Sequence, residues 1–233
     1  MRRSVRGFLA MATVAGLTAL AAAQQPPPVP EVTGGGDDLV KKKGFFREIW
    51  VHPDADITRY SKLYFWQAMF QFRDVAPSGG GSTVAAAIRN DDPYPVSAEA
   101  KEKFKKVFLD AFVEELQRSK QFEMVTVVGP DTLILRAGIL DIISDVPPAA
   151  RHVDVRLSAV GEGTFVVQLI DASSGVIQAT VGERRKIQPP GANPGRPATE
   201  ATVWTDVEQW ARSLGMDFRR ELDKAKKKKA EKK

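Results

Sequence analysis

Thr164-Phe165-Val166-Val167-Gln168-Leu169-Ile170-Asp171-Ala172-Ser173-Ser174-Gly175-Val176-Ile177-Gln178-Ala179-Thr180-Val181-Gly182 is the stretch on which the fold turns. Two runs rich in Val, Ile and Leu flank a short loop ending in Gly, the strongest local signal for paired antiparallel strands. Pairing Ile170 with Val176 places Phe165, Val167 and Leu169 on one face with Ile177, Ala179 and Val181. The other face then carries Thr164, Val166, Gln168 and Ile170 against Val176, Gln178, Thr180 and Gly182. A one-residue slip would mix the two sets, so burial of one face enforces the parity. A bulge at Gly175 is the feature that could shift this register.

Upstream, Gly129-Pro130-Asp131-Thr132 leads into the apolar strand Leu133–Ile143, and Phe122–Val128 is a shorter strand ended by Gly129-Pro130. Leu63–Arg73 alternates, with Tyr64, Trp66, Ala68, Phe70 and Phe72 as its cleaner apolar face. Phe45–Val51 is a short apolar start, closed by the turn formers His52-Pro53-Asp54-Ala55-Asp56. Helical spacing runs from Ala98 to about Ser119, capped by Ser97, with Ala100, Phe104, Val107, Phe108, Ala111 and Leu116 on one stripe. A last helix is expected from Asp206, where Thr205 and Glu208 match a capping box. Its stripe is Val207, Trp210, Ala211, Leu214, Phe218 and Leu222. The sum is an α+β fold: a two-layer sandwich with an antiparallel or mixed sheet of about five strands and two helices on one face.

The ends read differently. Arg2, Arg3 and Arg6 precede the apolar run Phe8–Leu20 and the small residues Ala21-Ala22-Ala23, the pattern of an export signal over residues 1–23. Residues 24–44, with Pro26-Pro27-Pro28 and Gly34-Gly35-Gly36, read as a linker. One domain is expected over 45–222, and the Lys-rich tail 223–233 is expected to fray into solvent. Of the net charge of +5, the three N-terminal Arg supply +3. The last ten residues, with seven Lys and one Glu, supply +6, which leaves −4 for Gln24–Asp223. The basic balance therefore belongs to the ends and does not imply a nucleic-acid surface on the fold. The chain has no Cys, which excludes disulfides, thiolate nucleophiles and zinc–thiolate sites.

Groups that could carry chemistry are few. His52 with Asp54 and Asp56 has metal-ligand residue types but reads as a turn. His152, Asp154 and Ser158 lack a nucleophile elbow. Gly79-Gly80-Gly81-Ser82-Thr83 lacks the Lys of a phosphate loop, and Gly161-Glu162-Gly163 precedes a strand rather than a helix, so both read as loops. Two surfaces remain. Arg136, Gln168 and Gln178 collect on the second sheet face, a docking surface for a partner. Lys226, Lys227, Lys228 and Lys229 are suited to a weak contact with anionic lipid or wall polymer.

Several motifs together resemble a family. Trp50-Val51-His52-Pro53-Asp54-Ala55-Asp56 with Tyr60, Gly129-Pro130-Asp131-Thr132-Leu133, Leu169–Gly175 followed by Glu183-Arg184-Arg185, Trp204, and Trp210-Ala211-Arg212 occur in the order found in domain of unknown function 3313. This is a family of bacterial envelope proteins, mostly of lipoprotein type. The resemblance covers roughly Phe45 to Leu222 and implies an envelope location and no known catalysis. Gln24 stands where the family's lipobox Cys would, which points to a soluble periplasmic or secreted product. The reading is therefore a non-enzymatic exported protein that binds another envelope component, a protein or a wall polymer. It needs no cofactor, metal or specific nucleic acid, and the mature chain has no transmembrane span. A carrier of a small apolar ligand between sheet and helices is the alternative, followed by a hydrolase of unknown type.

Overall fold

The computed structural model describes residues 38–75, 93–147, 156–189, 191 and 196–230, with side chains through Lys227. The strands are β1 (Val40–Lys42), β2 (Glu48–Val51), β3 (Lys62–Phe72), β4 (Glu123–Val125), β5 (Thr132–Ser144), β6 (Arg156–Leu157), β7 (Gly161–Asp171), β8 (Ile177–Lys186) and β9 (Arg196–Pro197). The helices are α1 (Ala98–Gln117) and α2 (Glu200–Ala230), and a 3-10 turn spans Ile57–Arg59. Seven strands form one mixed sheet in the order β1-β2-β8-β7-β5-β3-β4, and β6 pairs with β9 separately. β3 runs parallel to both β4 and β5, and the remaining pairs in the sheet are antiparallel. The α+β two-layer arrangement stands, with more strands than the five expected.

Both helices bury their apolar stripes against the same sheet face. Phe104, Phe108, Phe112 and Leu116 of α1 join Val207, Trp210, Leu214, Phe218 and Leu222 of α2 in one core. From the sheet that core takes Leu63, Leu133, Leu135, Ile139, Phe165, Val167 and Leu169. Rings interlock between and within the layers: Phe112 of α1 meets Phe165 of β7 edge-on at 5.5 Å between centroids, and Phe108 of α1 lies 5.5 Å from Trp210 of α2. On the opposite face, Ile134, Ile170 and Ile177 form a smaller cluster with Tyr64 and Trp66 packed on it.

Two bulges change the expected faces. β3 skips Trp66 in its register with β5, between Phe65↔Leu135 and Gln67↔Arg136. An unpaired residue reverses the alternation beyond it. Leu63 and Phe65 therefore share the helix face with Ala68, Phe70 and Phe72, while Tyr64 and Trp66 pack on the other side. The single apolar face expected from Tyr64 to Phe72 is corrected accordingly. In the β7–β8 hairpin, Leu169 faces Ala179 and Val167 faces Val181, while Ile170 faces Ile177. The bulge lies at Gln178 rather than Gly175, and it moves Ile177 to the opposite cluster.

Three end effects also differ. Val40–Lys42, expected inside the linker, forms the edge strand β1 on β2. α2 begins six residues before Asp206, at Glu200, with Thr199 Oγ1 accepting from Thr202 N at 3.1 Å. It runs to Ala230, so the expected frayed tail from 223 is helical over most of its length. Ala and Lys are good helix formers, and the side chain of Lys226 finds fixed partners: its Nζ donates to the carbonyls of Tyr60 and Gln121 at 2.6 and 2.8 Å. The expected signal segment and most of the linker, His152 with Asp154, and the Gly79–Thr83 loop lie outside the described residues. Gly161–Gly163, expected as a loop, is the start of β7.

Candidate functional site

A cleft of about 620 Å³ opens at one end of the sandwich, where both helices start and the sheet runs on past them. β3 contributes Phe72 and β5 contributes Ile142, Ile143 and Ser144. Val160 and Ile187 flank β7 and β8, and the helices supply Phe104, Val203, Trp204 and Val207. The volume lies in the range of small-molecule sites, and the walls are mainly aliphatic and aromatic. Its position follows from the elements. Ser97 caps α1 by accepting from Ala100 N at 3.1 Å, which fixes the first turn of α1 at the mouth.

The polar rim is small, with Ser97, Glu99, Lys103, Ser144 and Glu200, and most of it is engaged within the protein. Lys103 Nζ reaches Glu200 Oε1 at 2.6 Å and lies 4.7 Å from the Trp204 ring centroid, while Trp204 Nε1 donates to the same oxygen at 3.3 Å. The hydrogen bond from Lys103 holds the Glu200 carboxyl below its ordinary pKa. Ser144 Oγ accepts from Val146 N at 3.1 Å. The hydroxyls of the lining, Ser97 and Ser144, both serve backbone N–H groups, and no His is among the described residues that line the cleft. The arrangement suits desolvation of an apolar ligand whose polar end stays near Lys103 and Glu200.

The surface residues singled out in the sequence are partly brought together. On the face away from the helices, register aligns Gln67 with Arg136, Arg136 with Gln168, Gln168 with Thr180, and Thr180 with Trp50. Arg136 and Gln168 are therefore neighbours in a row across five strands. Gln178 does not join them: it sits at the β8 bulge, 7% exposed, with Nε2 donating to Val176 O at 3.4 Å. Of the four lysines, Lys226 is half-buried against the fold and burial lowers its pKa, which removes it from an outward-facing set. Lys227 is exposed, and the side chains of Lys228 and Lys229 lie outside the described residues.

His52 and its neighbours take turn roles, with His52 Nδ1 accepting from Asp54 N and Asp56 Oδ1 accepting from Thr58 N. Among the described residues, no group of three or more His, Asp or Glu is placed to hold a metal ion. The sequence reading missed two groupings. One is the Lys103–Glu200–Trp204 rim, in which Lys103 lies 97 residues before Glu200. The other is Asp171, which is 2% exposed and accepts from Tyr60 OH at 2.7 Å and from Arg59 Nη2 at 2.9 Å. Its position in the quoted hairpin turn was the available signal.

No family model and no curated protein matches the chain. The resemblance to domain of unknown function 3313 accordingly remains one of motifs. Solved structures with similarity include the PelC dodecamer from Paraburkholderia phytofirmans, at 8% identity over 71% of this chain and 92% of that one, with a TM-score of 0.35. Protein XCC0632 from Xanthomonas campestris, of domain-of-unknown-function family 330, is 9% identical over 83% of this chain and 97% of that one, with a TM-score of 0.40. The hypothetical protein CT253 from Chlamydia trachomatis is 10% identical over 72% and 95%, with a TM-score of 0.29. At these scores they carry no argument about role.

Proposed function

We infer that this is a non-catalytic binding protein of the bacterial cell envelope that takes an apolar ligand into the cleft between its layers. The observation that carries the reading is the cleft itself, with its apolar walls and a rim whose ion pair and hydroxyls are already engaged. A hydrolytic site needs a nucleophile within hydrogen-bond reach of a base, and among the described residues the lining brings no such pair together. The envelope location rests on the export pattern of residues 1–23. The ligand is a linear or branched hydrocarbon-bearing molecule, such as an acyl chain, with its polar end at the mouth.

Trp204 lines the cleft and reports on its contents. A fatty acid brominated along its chain should quench tryptophan fluorescence in a saturable way, and Trp204→Phe should remove most of the quenching. Ala100→Phe fills the cleft from the first turns of α1 and should weaken binding at least about tenfold, the worth of one apolar side chain's burial. Quenching that is non-saturable, or unchanged in Ala100→Phe, refutes the reading. Native mass spectrometry of protein from its own host would then identify the ligand.

A further inference from the structure

The β1–β2 edge and the last turns of α2 form one basic surface, although each belongs to a different end of the chain. Phe45 N donates to Glu221 Oε2 at 2.9 Å, and Lys224 Nζ lies 5.2 Å from the Phe45 ring centroid. The turn can lie this close because residue 44 is Gly: a Cβ there would stand 2.7 Å from the Glu221 carboxyl carbon. Lys42 pairs in register with Ile49, whose side chain belongs to the core beneath the helices, so Lys42 sits on the helix side of the edge strand. Lys43 and Arg47 follow around the turn, and Arg220 lies one helical turn before Lys224.

The cations here outnumber the acidic groups near them. Among the described residues, Lys42, Lys43, Arg47 and Arg220 make no salt bridge, whereas Lys41, on the other side of the edge strand, is paired with Glu48 at 2.7 Å. Glu221 is the carboxylate within the patch; its Oε2 accepts the Phe45 N–H, and its single negative charge leaves the patch strongly positive. Phe45 itself is 51% exposed, with Lys224 over its ring and Lys43 and Arg47 two residues away on either side. Isolated exposed aromatics are unremarkable, but one flanked by exposed lysines and an arginine matches the combination by which peripheral proteins sit on anionic bilayers. There the cations draw the surface close and the ring enters the headgroup boundary.

The chain's course favours a bilayer over other polyanions. β1 lies close behind the export pattern of residues 1–23, which would bring the domain to a bilayer as it is exported. The same surface is continued by α2 toward the lysines that end the sequence. We propose that this composite patch of Lys42, Lys43, Phe45, Arg47, Arg220 and Lys224 docks the domain on an anionic lipid surface. It is independent of the cleft and of what the cleft holds.

Sedimentation of the full chain with vesicles tests it. Vesicles containing phosphatidylglycerol should bind the protein more tightly than phosphatidylcholine alone, and binding should weaken as salt rises. The double variant Lys42→Glu, Lys224→Glu should lower affinity for the anionic vesicles by about tenfold or more, from the loss of two cations near the surface. Phe45→Ser should lower affinity while leaving the salt dependence in place. Unchanged melting temperatures confirm that each variant is folded, and the unaltered N-terminal segment cancels in every comparison. Equal binding to neutral and anionic vesicles, or no effect of the double variant, overturns the proposal. So does retention on duplex DNA without vesicle binding at the same salt.

Discussion

Asp171 shows how much a single side chain can do in this fold. It opens the turn of the β7–β8 hairpin, and its Oδ1 accepts from the backbone N–H of Ser173 and Ser174 at 2.7 and 3.3 Å. Its Oδ2 takes the Tyr60 hydroxyl and the Arg59 guanidinium, from the segment before β3. Burial alone would raise its pKa, but these hydrogen bonds and Arg59 outweigh burial and hold the carboxyl below its ordinary value. Burial first, and the bond to Asp171 second, push the Tyr60 hydroxyl well above its ordinary value. The signs are opposite. Asp171 contributes stability that is present above its ordinary pKa of 3.8 and lost as pH falls through the lowered one. Tyr60 contributes stability that is full below 10.0 and lost as pH rises through its raised value. Asp171→Asn should cost about 2 kcal/mol at neutral pH, because an amide nitrogen then faces a donor, and should flatten the acid limb of stability. Urea unfolding at stepped pH would read both. An acid limb as steep as that of the native protein would show that Asp171 is not its source.

At the scale of elements, the helices were legible because their burial follows one uninterrupted period. All six residues expected on the stripe of the last helix are buried: Val207, Trp210, Ala211, Leu214, Phe218 and Leu222. The strands were less so, since one unpaired residue at Trp66 reverses a period of two and leaves no mark in composition. Where α1 and α2 pack against each other, Gly215 is set by contact rather than propensity: a Cβ there would lie 2.9 Å from Glu115 Cβ and 3.1 Å from Phe112 O. Neither atom is the free end of a flexible side chain. Gly215→Val should therefore destabilise by about 1–3 kcal/mol, although valine is no worse a helix former than glycine. An unchanged midpoint in chemical denaturation would mean that the helices can separate there without cost.

Across the whole molecule, the end of α2 ties distant parts together. Lys226 caps carbonyls of Tyr60, before β3, and Gln121, after α1, with its ammonium 4.5 Å from the Phe122 ring centroid. Ending the chain after Ala225 should cost about 1–2 kcal/mol, since two partly buried carbonyls then lose a charged donor. Ending it after Lys227 should leave the thermal midpoint unchanged. If the two truncations melt alike, the tie contributes nothing measurable. The same closure of distant segments sets the sheet order: β3 lies parallel to β5 only after the chain has passed through α1 and the edge strand β4.

The amino-acid sequence by itself determined the class of fold, the two amphipathic helices and the apolar hairpin, because those depend on periodic burial over short distances. It also determined the absence of Cys and the presence of two His, which is a matter of inventory. Tertiary structure alone decided the face of Tyr64 and Phe65, the displacement of Gln178 from Arg136 and Gln168, and the inward role of Lys226. It alone joined Lys103 to Glu200 at the cleft and Phe45 to Lys224 at the basic edge. Bulges, registers and contacts between residues far apart in sequence are settled by packing of the whole chain, which no local pattern encodes.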